Sequence, residues 1–306
     1  MNKNIIKTNK NYTYDILKND LLFLNYEYPF FKINSIGKST LGENIIYIKL
    51  GEGNRKLFIN ASHHANEWMT SLITMMFIEK YLKLYKNKEI YKCRNIQELW
   101  NRTTIYIVPM VNPDGVNLCL KNTKILNNNL YKNIWGNYIN NIEDWKANIR
   151  GVDLNLNYPV GWEQAVKNKA KKGITMPGLR DYPGPNAESE IETKNIINFT
   201  KIFNFDMTIS LHSQGQEIYW SYLDKKINKA YEVGKKMERV SGYKLTQPSY
   251  YSSFAGYKDW FIENFNKPGY TIEIGNGEEG KSLPLEKAEE IYEEMEEIFL
   301  VAIEEC

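Results

Sequence analysis

Short apolar runs alternate with stretches of helical period along the chain, which predicts a sheet with crossover helices, an α/β fold. Lys56–Ala61 is a buried strand in this reading. Behind it Trp68, Leu72, Met75, Ile78, Leu82 and Tyr85 recur at steps of three and four, the apolar stripe of a helix. Thr103–Val111 predicts a second strand, closed by the turn signal Asn112-Pro113-Asp114-Gly115. A third, Asp206–Leu211, delivers His212 at its carboxyl end, and a fourth, Tyr270–Ile274, carries Glu273. The last helix follows Pro284, with Leu285, Ala288, Ile291, Met295, Ile298 and Ala302 inward and a run of glutamates on a solvated face. Residues 1–50 form a helix/strand lead-in. The weakly periodic stretches 116–149 and 161–185 are expected as long loops walling a site, and Lys167, Lys169, Lys171 and Lys172 make the second a solvated basic loop.

At 306 residues the chain suits one large domain, and no linker, repeat or low-complexity tract divides residues 1–306. Lys plus Arg total 39 against 37 Asp plus Glu, a net charge of +2, too balanced for nucleic acid as the main partner. No apolar run approaches the ~18 residues of a membrane span. The polar start Met1-Asn2-Lys3-Asn4-Ile5-Ile6-Lys7 holds no secretory core, so the expected address is cytoplasmic. Cys93, Cys119 and Cys306, an odd number in a long chain, are expected as reduced thiols.

Composition matters most through its scarcest residue. The only imidazoles are His63, His64 and His212. His64 and Glu67 lie three apart at the mouth of a helix, on one face. In open α/β sheets ligands bind beyond the carboxyl ends of strands, so His64, Glu67 and His212 can meet there. Two histidines and a glutamate with a position left for water is the pattern of catalytic zinc.

These residues fall within six segments: Ser62-His63-His64-Ala65-Asn66-Glu67-Trp68, Pro109–Gly115, Arg150-Gly151-Val152-Asp153-Leu154-Asn155, Ser210-Leu211-His212-Ser213, Asp259-Trp260 and Tyr270-Thr271-Ile272-Glu273-Ile274. In that order they make the chain resemble the zinc carboxypeptidase family over most of its length. Gly151–Asn157 and Tyr251–Phe261 make it most similar to the branch of γ-D-glutamyl-diamino-acid endopeptidases, which act on bacterial cell-wall peptides. The resemblance implies a three-layer α/β/α domain on a mixed, twisted sheet. It implies one zinc ion held by His64, Glu67 and His212, with Glu273 as general base and acid. It also implies Arg150 as the charge stabilising the oxyanion, Tyr251 (or Tyr250, one register away) as a mobile substrate-binding tyrosine, and Asp153 as the group orienting a ligand histidine. His63 is not a ligand in this pattern and is expected either to support a ligand from behind or to pack in the core.

The chain departs from the family where ordinary carboxypeptidases grip a terminal carboxylate with an Asn-Arg pair. Here the pair is Asn155-Leu156: Asn155 can still bond a carboxylate, but the bidentate clamp is missing. Lys258 falls where the family places residues lining the specificity pocket, which implies a preference for a carboxylate-bearing group. The resulting expectation is a zinc peptidase that hydrolyses γ-D-glutamyl-meso-diaminopimelate bonds in peptide or muropeptide substrates, with no nucleic-acid or membrane partner and the oligomeric state open. The rivals are a metallocarboxypeptidase of broader specificity and a zinc deacylase of N-acyl amino acids.

Overall fold

The apolar runs pair edge to edge in a computed structural model that describes residues 4–278 and 280–306. Met1, Asn2 and Lys3 of the polar amino-terminal run lie outside the described residues. From edge to edge the sheet is Lys32–Lys38, Asn44–Leu50, Thr103–Val108, Arg55–Ala61, Met207–His212, Gly269–Glu273, Glu217–Tyr219 and Lys244–Thr246. The four middle strands, Thr103–Val108 to Gly269–Glu273 in that order, run parallel. Each outer member of this group has an antiparallel neighbour, so the sheet is mixed.

The period of two along each strand builds two cores. Leu57, Ile59 and Ala61 face one shared with the helices Tyr14–Glu27, Met69–Lys86, Asn228–Ser241 and Ala288–Glu305. Phe58 faces the other, beneath Ile191–Phe203 and Tyr257–Phe265, stacked on Phe205 at 4.8 Å. The result is the three-layer α/β/α arrangement.

Strand order places the site. From Arg55–Ala61 the chain crosses to Thr103–Val108 on one side, and later returns with Met207–His212 on the other. Connections therefore diverge at the carboxyl end of Arg55–Ala61, which opens a crevice there. His64 follows that strand and His212 ends its neighbour.

Three expectations are corrected. The second strand stops at Val108, and Asn112-Pro113-Asp114-Gly115 starts a helix, Pro113–Cys119, instead of forming a turn. The physical signal was present: the Asn112 side chain accepts from the Gly115 N–H as an N-cap, and Pro113 occupies the first turn, where its missing N–H costs nothing. Residues 116–149 are not an open loop either. They carry Thr123–Leu126, Lys132–Trp135 and the 3₁₀ segment Gly136–Asp144, closed over a small core of Leu118, Ile125, Trp135, Ile142 and Trp145. In 161–185 the helix Trp162–Ala170 takes up Lys167 and Lys169 in its last turn, where cations oppose the negative helix end.

Asn112 also donates from Nδ2 to the carbonyls of His63 and Ala147, each at 3.1 Å. Asn112→Ala removes the cap and orphans buried carbonyls, so it is expected to cost about 2 kcal/mol of stability. Denaturant unfolding monitored by tryptophan fluorescence measures it; an unchanged midpoint would count against the cap.

Candidate active site

Ser62, just past the strand Arg55–Ala61, turns the chain with a φ of 51°. Its N–H donates to Thr70 Oγ1 at 2.9 Å and its hydroxyl lies 2.7 Å from that of Ser71, which ties the strand end to the start of the helix Met69–Lys86. The 3₁₀ turn Ala65–Glu67 is held between these anchors. Beside it, His212 ends its strand, and the parallel register sets Glu273 next to His212.

The side chains of His64, Glu67 and His212 converge, with one ligand atom from each within 4.8 Å of the others. His64 Nδ1 lies 2.7 Å from Glu67 Oε1 and 3.1 Å from His212 Nδ1, which in turn lies 3.0 Å from Glu67 Oε2. On its far edge His64 Nε2 donates to Asp153 Oδ1 at 3.0 Å. That bond assigns the ring proton to Nε2 and leaves the Nδ1 lone pair facing the cluster. A shared proton satisfies only two of these converging acceptor atoms. A divalent cation satisfies them all, and two imidazole nitrogens with a carboxylate are a donor set suited to zinc.

The surroundings tune each group. Burial disfavours a second proton on His64, yet the carboxylates of Glu67 and Asp153 overcome it and raise the ring to about 9; a cation held at Nδ1 would take the place of that proton. Burial, followed by the neighbouring imidazoles, pushes His63 well below its ordinary value and keeps it neutral. His63 is packed against His212 at 5.8 Å and hydrogen-bonded through Nε2 to Tyr158 Oη at 2.9 Å, and stands outside the ligand group. Burial and then the charge of Glu67 push Glu273 up to about 8; a cation bound beside it would pull it back down.

A cavity of about 470 Å³ opens over this group. Asn155 and Lys258 line it. Asn155 Oδ1 accepts from the Tyr257 N–H at 3.0 Å. Lys258 is buried, with its ammonium on the Ser221 carbonyl at 2.5 Å and on Asp259, so its charge is already met within the protein.

Two expected residues are not brought in. Arg150 does not line the cavity; Asn148 accepts its N–H, and its guanidinium turns toward the fully buried Glu190, with Nε 3.6 Å from Oε2. The buried anion attracts it, which sequence spacing cannot reveal. Tyr250 and Tyr251 are 59% and 63% exposed on the turn Tyr250–Ser252, while Pro248, Ser249 and Ser252 line the cavity beside them. Sequence reasoning missed Lys146 and Arg180, which do line it. Lys146 Nζ pairs with Asp153 Oδ2 at 3.2 Å, so the buried Asp153 links the His64 ring to a half-buried cation. The Trp-Lys-Ala-Asn stretch 145–148 has no period or motif that would have singled Lys146 out.

Asp153→Asn keeps the shape of this link but weakens the acceptor behind His64 and leaves Lys146 only the more distant Asp181, 3.9 Å away. Zinc affinity is expected to fall about 10- to 100-fold. Competition with a chromophoric chelator measures it; unchanged affinity would deny Asp153 its orienting role.

A buried His–Glu–His group beside an acid, at the carboxyl ends of parallel strands, defines a single-metal hydrolase. The zinc carboxypeptidase family profile matches residues 20–300, and the chain belongs to that family; it is a zinc metallopeptidase. It is 37% identical over 302 residues to γ-D-glutamyl-L-diamino acid endopeptidase 1 of Lysinibacillus sphaericus, covering 98% of this chain and 74% of that protein. Its fold is similar to that of thrombin-activatable fibrinolysis inhibitor, with a TM-score of 0.74 at 19% identity over 99% of this chain and 76% of that one. It is also similar to that of the murein-tripeptide amidase MpaA of Escherichia coli O157, with a TM-score of 0.57 at 18% identity over 88% and 91%. Among the described residues no helix is long and apolar enough to cross a membrane.

Proposed function

We propose that this enzyme hydrolyses the bond between the γ-carboxyl of D-glutamate and a diamino acid, meso-diaminopimelate, in cell-wall peptides. The observation that carries the reading is the similarity, along 98% of this chain, to a γ-D-glutamyl-L-diamino acid endopeptidase. The lining of the cavity agrees with it: Leu156 stands where a terminal-carboxylate clamp would need a cation, while four lysines and an arginine are set among neutral residues and carboxylates elsewhere in the lining.

When bound, zinc supplies a Lewis acid that polarises the scissile carbonyl and acidifies water. His64, Glu67 and His212 hold it, and Asp153 keeps the His64 ring in the tautomer that presents Nδ1. The Glu273 carboxylate takes the proton of the attacking water and returns it to the leaving amine of the diamino acid. With Arg150 turned to Glu190, Lys146 is our candidate for the cation that offsets charge developing on the carbonyl oxygen. Asn155 holds the leaving residue from the wall it shares with Gly256 and Lys258. A cytoplasmic workplace is the companion proposal, supported by three cysteines that are free thiols in the fold.

The test compares hydrolysis of L-Ala-γ-D-Glu-meso-diaminopimelate with that of acylated C-terminal dipeptides, and follows muropeptide digests by mass spectrometry with and without chelator. The expected result is chelator-sensitive release of the diamino acid and little turnover of the dipeptides. Preference for the dipeptides would replace this reading with a broader carboxypeptidase, and preference for N-acyl amino acids with a deacylase.

A further inference from the structure

Five cations line the cavity: Lys146, Lys169, Arg180, Lys258 and Lys281. Four are met by carboxylates at close range. Lys146 pairs with Asp153 at 3.2 Å, Lys169 with Asp181 at 2.7 Å and Lys281 with Asp144 at 2.6 Å, while Lys258 is bonded to Asp259. Arg180 differs. Its nearest carboxylate oxygen among the described residues is Asp181 Oδ2, 3.8 Å from Nε, and Asp181 already accepts from Lys169. No described residue takes a hydrogen bond from its guanidinium, whose side chain is 38% exposed. A planar fork of donors facing a cavity without an acceptor is suited to a carboxylate that arrives from outside.

A second group points the same way. Asn66 is 3% exposed, and its Nδ2 donates to the Gly280 carbonyl at 3.2 Å while its Oδ1 is buried without a partner. Gly280 is also where Arg180 packs: a Cβ there would lie 2.6 Å from Nη1, and its φ of 81° already favours glycine. Among the described residues, an orphaned acceptor and a vacant donor fork thus meet at one glycine.

A γ-linked glutamate matches this pair. Because its chain continues through the side-chain carboxyl, its α-carbon keeps a free carboxylate next to the amide N–H that joins the preceding residue. We propose that Arg180 binds that free α-carboxylate while Asn66 Oδ1 accepts the adjacent N–H, so that the enzyme recognises the acyl side of the bond by its charge. The inference rests on the substrate reading above and adds the group that selects glutamate.

Two peptides test it: L-Ala-γ-D-Glu-meso-diaminopimelate and the same peptide with the glutamate α-carboxylate converted to a carboxamide. Wild-type enzyme is expected to favour the acid by about 10- to 100-fold in kcat/KM, the value of one charge-assisted pair. Arg180→Gln is expected to lose that factor on the acid alone and leave the amide unchanged, with zinc content and melting temperature as controls; Arg180→Lys restores part of it. Equal wild-type turnover of acid and amide, or full discrimination retained by Arg180→Gln, would overturn the subsite and leave the substrate reading standing. Cleavage of neither peptide by zinc-loaded wild type that turns over C-terminal dipeptides would overturn the reading and the subsite together.

Discussion

Glutamine in place of Glu273 is expected to leave zinc bound at one ion per chain and to lower kcat by about 10²–10⁴-fold, with KM little changed. The substitution keeps the size of the side chain and its place beside His212 in the parallel register, so the His64–Glu67–His212 group retains its geometry. What it removes is a carboxylate that can accept and release a proton. Glu273 sits where such a group is sensitive to its charge state: burial and the Glu67 carboxylate both favour its protonated form, and a bound cation opposes them. Steady-state kinetics on L-Ala-γ-D-Glu-meso-diaminopimelate, paired with elemental analysis for zinc, measure both halves. Full zinc with kcat within a factor of two of wild type would show that Glu273 is not the proton carrier.

Removing one ligand acts earlier in the mechanism. His212→Ala is expected to abolish zinc retention through dialysis and to reduce turnover by ~10³-fold or more, because several kcal/mol of barrier lowering come from the metal. Two donors remain, and Glu67 loses the imidazole that lies 3.0 Å from its Oε2, so a buried carboxylate faces one histidine in place of two. Chelation of the wild type is expected to reproduce the loss, with recovery when zinc is added back. A His212→Ala protein that kept one zinc and its activity would place the metal elsewhere.

How far each part could be read in advance depended on the range of the interactions involved. The parallel strands and the helix behind His64 were readable because burial imposes its period on neighbouring residues, as in Leu57, Phe58 and Ile59 and in Leu72, Met75 and Ile78. The helix start at Asn112-Pro113 is equally local but reads as a turn, since Asn, Pro, Asp and Gly serve both purposes. Residues 116–149 hid their small core because Trp135, Ile142 and Trp145 are spread through short segments with no sustained period.

Arg150 shows the limit most sharply. An arginine beside Asp153 and Asn155 suits an oxyanion role by motif alone, yet its direction is set by Glu190, forty residues on and fully buried. Lys258 had the reverse fate: it reaches the cavity, but Asp259 and the Ser221 carbonyl already satisfy it.

By itself the amino-acid order determined the α/β class through local period and set His64, Glu67, His212 and Glu273 at strand ends and a helix start, while their roles followed from the order of the six motifs shared with the family. Only the tertiary structure decided which charges face the substrate. That choice turns on which carboxylate neutralises each cation, and packing fixes it whether the partner is the next residue, as Asp259 is for Lys258, or forty residues on, as Glu190 is for Arg150.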